Sequence, residues 1–222
     1  MILGIYGAGG AGRETLEIAK IINSKRENEW EQIVFIDDLS FDRNANNVPV
    51  YSYEQTKKKF ANNIEYVVAI GEIEVRKRIY EKLIFEGEQI ATLIHPDIYT
   101  PDTASIGRGV IINVGSFISC NTVIGDNVYI QPHVKLSHDC TVGKGSVLAC
   151  SSSIAGRCKI GQYSFIGMNS CIREDVEIGD NTVIGMGSVV CGNVDSNVVA
   201  YGNPAKIKRK NENSNIFKEK NV

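Results

Sequence analysis

Fifteen aliphatic residues recur at every sixth position without a miss, from Ile106 to Val190, and this constrains the fold more than anything else in the chain. All are isoleucine except Leu136, Val142, Leu148 and Val190. Two places before each stands a small or β-branched residue, such as Val110, Thr122, Cys140, Ser152 or Ser164. After every third rung comes a glycine: Gly107, Gly125, Gly143, Gly161, Gly179. A helix buries positions three and four apart, so a period of six excludes one. The pattern predicts short parallel strands joined by tight turns, with the rung inside and Gly, Asn or Asp taking the strained turn dihedrals. Three strands close one triangular coil, and five coils at about 4.8 Å each make a prism roughly 24 Å long. The expected fold is a left-handed parallel β-helix of hexapeptide repeats.

The first ninety residues follow another rule. Residues 2–6 (ILGIY) read as a buried strand that runs into Gly7-Ala8-Gly9-Gly10-Ala11-Gly12 and then an amphipathic helix. A G-x-G-x-x-G turn between strand and helix lets phosphate approach the backbone at a helix N-terminus. A second strand over 33–36 ends at Asp37-Asp38, placed to accept bonds from a ribose or base. A third, over 65–70, ends at Gly71. With three or four strands before the ladder, this is a Rossmann-like half-fold suited to a mononucleotide. The expected organisation is 1–90 nucleotide-sugar-binding α/β domain, 91–105 connector, 106–195 β-helix, and 196–222 C-terminal segment with a polar tail.

Of the 21 glycines, thirteen lie between Gly107 and Gly192 and five between Gly4 and Gly12, so glycine marks ladder turns and one loop. A formal charge of −2 from 24 basic and 26 acidic residues gives no electrostatic case for nucleic acid or a polybasic membrane anchor. No apolar run reaches the roughly 18 residues of a membrane span. The start MILGIYGAGG lacks a basic, cleavable leader, and the expected location is the cytoplasm.

Three histidines carry the reactive options. His95, before Pro96, reads as a surface or hinge residue, and His133 as a wall residue. His138 stands at a ladder turn with Asp139 beside it and Gly156 eighteen residues on, one coil away at the same corner. A base beside a free backbone N–H suffices for acyl transfer: the imidazole takes the proton of the attacking group, and the amide holds the oxyanion. Asp139 would fix the imidazole tautomer. The eighteen-residue columns through His133 and His138 hold no third histidine, so no metal site is expected. Cys120, in the His138 column, is a conceivable thiolate nucleophile. Cys140 and Cys158 share an inward column, and in a cytoplasmic chain they read as small buried hydrophobes.

GAGGAGRE, FIDD, a strand ending AIG, the connector LIHP, a ladder carrying SHDC and IAG, and a closing YGNPAK occur in that order. This combination resembles the bacterial sugar acyltransferases of the sialic acid O-acetyltransferase type, closest to the N-acetyltransferases of nucleotide-linked 4-amino-sugars. The resemblance implies an enzyme of surface glycan biosynthesis, a homotrimer with active sites between subunits, and acetyl-CoA as cosubstrate with no metal. It implies His138 as base, Asp139 as its partner, and Gly156 at the thioester carbonyl, with Met168 and Met186 beside the pantetheine arm. For the nucleotide it implies Gly7, Gly9, Gly10, Gly12, Asp37, Asp38 and Gly71. Many relatives carry a histidine where this chain has Ala11, which removes one side-chain contact to phosphate or sugar. Sialic-acid-type O-acetylation and a non-catalytic nucleotide-sugar-binding protein are the alternative readings.

Overall fold

A computed structural model describes residues 1–26 and 29–212, so the expected polar tail lies, from 213 on, outside the described residues. Contacts divide the chain into two units, Met1–Gly71 with Val75–Pro96, and Glu72–Glu74 with Asp97–Val222.

The first unit is built on a six-stranded sheet. In chain order its elements are β1 (Ile2–Tyr6), α1 (Gly10–Lys25), β2 (Gln32–Ile36), β3 (Arg43–Ala45), β4 (Val48–Tyr51), α2 (Tyr53–Phe60), β5 (Ile64–Val68), α3 (Ile73–Phe85) and β6 (Gln89–Ile90). The sheet order is β3-β4-β2-β1-β5-β6. β1 runs parallel to β2 and β5, and all five of its residues are buried, as a central strand covered on both faces requires. A Cβ on Gly4 would lie 2.8 Å from Ile36 Cδ1, so only glycine lets the β2 side chain cross there.

Six strands exceed the three or four expected. The additions are a hairpin, β3–β4, and the two-residue β6. Asn46 and Asn47 both take positive φ (47° and 62°) and close the hairpin as a primed turn, which matches strand twist. Polar RNA and proline-bearing VPVY carry no alternating apolar signal, which is why the sequence pattern passes over them.

The second unit is the left-handed parallel β-helix. Each rung is the second residue of a two-residue strand, from Ser105–Ile106 to Val189–Val190. Register between neighbours is eighteen residues throughout, as in Lys135↔Ser153 and Leu136↔Ile154. Among the described residues the strands form three sheets, one extended by Val198–Gly202 and the antiparallel Ala205–Lys210. From Ile112 to Val190 every rung is buried, and Ile106 at the first coil is half-buried.

Inward serines are buried at no polar cost because they bond along the stack. Ser146 Oγ donates to Gly161 O (2.7 Å) and accepts from Ser164 N (2.9 Å), and Ser164 Oγ donates to Gly179 O (2.8 Å).

The strained dihedral falls three residues after each rung rather than at the glycine that follows every third rung. Every sixth residue from Gly109 to Gly187 has φ between 52° and 71°. The glycines of the regular column are needed for stacking instead: a Cβ on Gly143 would lie 2.5 Å from Gln162 N and 2.6 Å from Gly161 C.

Candidate functional site

His138 and Asp139 occupy the turn between strands Lys135–Leu136 and Thr141–Val142. Asp139 takes the left-handed position (φ 58°), and both side chains are about half exposed. His138 Nδ1 and Asp139 Oδ2 are 2.7 Å apart. The other carboxylate oxygen accepts from Asn121 Nδ2 at 2.9 Å, one coil earlier in the same column. The hydrogen bond from His138, and then that from Asn121, hold the Asp139 carboxyl below the usual aspartate range. An ionised carboxylate only accepts, so His138 Nδ1 carries the proton and Nε2 presents its lone pair.

The column continues to Arg157, which makes a two-point contact with Asp175 (2.6 and 2.7 Å). Its four left-handed residues, Asn121, Asp139, Arg157 and Asp175, thus form a polar ladder in which the dyad's carboxylate is one step.

Gly156 lies against the imidazole. A Cβ there would stand 2.5 Å from His138 Cε1 and 2.6 Å from Nε2. Its N–H has no hydrogen-bond partner among the described residues. An acceptor lone pair and an unused amide donor therefore share one patch of surface. The glycine is required because any side chain would displace the ring.

Met168 and Met186 are exposed, but they stand at a different corner of the same prism. The turn carrying Met168 joins strands Phe165–Ile166 and Cys171–Ile172, whereas the His138 turn precedes Thr141–Val142. Within one chain the structure does not bring the methionines to the dyad. His133 lies on the Met168 corner with its ring over Gly115, whose Cβ would be 2.3 Å from Nδ1. Among the described residues no group of three His, Cys, Asp or Glu is placed to hold a metal ion. Cys140 and Cys158 are buried free thiols that donate to Ala155 O (3.1 Å) and Arg173 O (3.0 Å); Cys120 is an exposed free thiol. His95 is only 5% exposed, following the inward strand Leu93–Ile94 rather than lying on the surface.

The first unit holds a cavity of about 520 Å³ lined by Gly7, Gly9, Gly10, Asp37, Asp38 and Gly71, with Ala11 at its edge. A Cβ placed on Gly9 or Gly10 would meet nothing within 4 Å, so the backbone there is open to a ligand. α1 begins at Gly10 with no side-chain cap and no acidic residue in its first turn. Gly12 is not part of the lining. A Cβ there would be 1.8 Å from Gly7 O, so Gly12 serves the close return of helix onto loop.

The two aspartates are already engaged by the protein. Asp37 Oδ1 accepts from Leu39 N and Ser40 N (both 3.1 Å). Asp38 accepts from the Tyr6 hydroxyl and from Tyr53 N (2.8 Å). Burial, then the bond to Asp38, pushes the Tyr6 hydroxyl pKa up, so it stays a donor. Arg78 and Lys82 also line the cavity, and the sequence patterns above do not single them out. The available signal is their four-residue spacing on the α3 face of Val75 and Ile79. Asn121 also escapes those patterns, although it lies eighteen residues before Asp139.

Comparison with known proteins agrees with this two-part organisation. Residues 3–83 match the PglD N-terminal domain family, and residues 121–156 and 157–192 match the bacterial transferase hexapeptide (six repeats) family. The GDP-perosamine N-acetyltransferase of Escherichia coli O157:H7 is 32% identical over 145 residues, 64% of this chain and 64% of that protein. The match therefore spans just under two-thirds of that relative. Among solved structures, the acetyltransferase domain of PglB from Neisseria gonorrhoeae FA1090 superposes with a TM-score of 0.86 at 26% identity, covering 93% of this chain and 99% of that one. It has also been solved with acetyl coenzyme A. PerB from Caulobacter crescentus, in complex with CoA and GDP-perosamine, gives 0.85 at 27% identity over 94% of this chain and 97% of that one.

Proposed function

We propose that this chain, a PglD-type N-terminal domain followed by transferase hexapeptide repeats, is an N-acetyltransferase. It moves acetyl from acetyl-CoA to the 4-amino group of a nucleotide-linked sugar. One observation carries the chemistry: the His138 ring, oriented through Nδ1 by Asp139, lies on Gly156 with Nε2 beside an unused backbone N–H. The sugar amine attacks the thioester carbonyl directly. His138 Nε2 takes the amine proton, the Gly156 N–H holds the developing oxyanion, and the imidazolium returns the proton to the leaving thiolate. The exposed Cys120 is not needed, and no covalent enzyme intermediate forms.

Residues 1–90 hold the nucleotide-sugar and residues 106–195 perform the transfer. The relatives named above support the substrate class, being GDP-perosamine and PglB acetyltransferases. We assign a homotrimer whose active sites lie between subunits, in a cytoplasmic setting that serves glycan assembly. Phe117 and Val123 support that arrangement. They are 56% and 48% exposed on the two faces flanking the corner of the Cys120–His138–Gly156 column, where a neighbouring prism would cover them. Met168 and Met186, at another corner, fit the same groove only when a neighbouring chain supplies them.

Two variants test the chemistry. His138→Ala is expected to lower kcat by roughly 10²–10⁴, and Asp139→Asn by about tenfold or more. His138→Ala with near wild-type turnover would remove the imidazole from the mechanism.

A further inference from the structure

Arg78 and Lys82 stand one turn apart on α3, about 6 Å along the helix axis, and both line the cavity of the first unit. Surface cations on a helix usually pair with an acid four residues away. Here that neutralisation is missing. Glu86, four residues after Lys82, is taken by Lys57 (2.6 Å) and by the Tyr53 hydroxyl (2.9 Å). Lys82 instead sits over the Tyr53 ring, 4.1 Å from its centroid. Arg78 has no hydrogen bond or ion pair among the described residues.

The cavity is therefore divided by charge. Asp37 and Asp38 on one side are satisfied by protein donors, and two unneutralised cations stand on the other. Between them lie the open Gly9–Gly10 backbone and the uncapped start of α1. Backbone N–H groups there can serve one phosphate. Ala11 contributes no polar side-chain atom, so a second phosphate must find its partners elsewhere.

We propose that Arg78 and Lys82 bind the second phosphate of the nucleotide, so that this site selects sugars joined through a diphosphate over those joined through a single phosphate. The inference rests on the reading of the first domain as the nucleotide-sugar site. A diphosphate diester presents two negative charges and matches two cations, whereas a single-phosphate linkage presents one and leaves a cation unused. The guanidinium can meet phosphate oxygens through two donors, and the ammonium acts as a point charge. The same selection argues against a sugar carried on a nucleoside monophosphate.

The test is calorimetric binding of GDP, UDP and dTDP, each against its monophosphate, to the full chain and to Arg78→Gln/Lys82→Gln. For whichever base binds, the diphosphate is expected to bind wild type at least about tenfold tighter than the monophosphate. The double variant should close that gap to about twofold while leaving monophosphate binding and Tm little changed, because both side chains are exposed. Arg78→Lys should restore part of it. An unchanged gap in the double variant overturns the inference and leaves the nucleotide reading intact. If wild type binds none of the six nucleotides, the nucleotide reading fails and the inference falls with it.

Discussion

At the residue scale the chemistry depends on one contact, an imidazole resting on a glycine. The His138–Asp139 bond orients the ring, but the absence of a side chain at 156 decides where the ring can sit. Gly156→Ala places a methyl 2.5–2.6 Å from His138 Cε1 and Nε2, so the ring must swing off the patch. The variant is expected to lose roughly 10–10³ in kcat, since both base and oxyanion donor are displaced. Its stability should fall by no more than about 1–2 kcal/mol, because His138 is a half-exposed side chain that can move. Steady-state kinetics beside a thermal melt separates the two effects. Much of this is legible in the sequence, because a period of eighteen places 138 and 156 at one corner. Asn121 obeys the same arithmetic, yet a turn asparagine has a sufficient conformational reason to be there, and only the 2.9 Å bond to Asp139 gives it a second one.

At the element scale the repeat divides its demands between two positions. Left-handed dihedrals recur at the third residue after each rung and are carried even by His133, Arg157 and Tyr163. Close stacking of coils is served by the glycines right after every third rung. A repeat of glycine alone does not distinguish strain from crowding, which is why the spacing pointed to strain where the packing shows crowding. Gly143→Ala is the discriminating variant. Its Cβ would meet the backbone of Gly161 and Gln162 rather than a movable side chain, so destabilisation of about 1–3 kcal/mol is expected. Gly192→Ala, with nothing within 4 Å, should stay within about 0.5 kcal/mol, read as urea midpoints. The α/β unit is less legible for a related reason. Its buried strands β1, β2 and β5 announce themselves as apolar runs, whereas β3, β4 and β6 are short, polar or proline-bearing and are held by pairing to neighbours. Gly12 and the cavity cations follow the same division: spacing locates the loop, but only packing tells which glycine faces a ligand.

At the scale of the whole molecule, one unit offers a nucleotide-sized cavity with opposed charges, and the other offers a base and an amide donor on a rigid prism. The prism presents exposed apolar side chains on both faces beside its reactive corner. Association through them predicts a particle of three chains by light scattering. Charge substitution at Phe117 and Val123 is expected to yield monomers with little activity, and fully active monomers would place the whole site within one chain. The central claim, acetyl transfer from CoA to a nucleotide-linked amine, is tested most directly by thiol release. Wild-type chain is mixed with acetyl-CoA and a panel of UDP-, dTDP- and GDP-linked 4-amino-sugars, and each sugar is then weighed by mass spectrometry. The predicted result is release of CoA that depends on one of these amines, with one acetyl gained on that sugar, and its near-complete loss in His138→Ala. Release independent of the amine, or acetylation undiminished by His138→Ala, would contradict it.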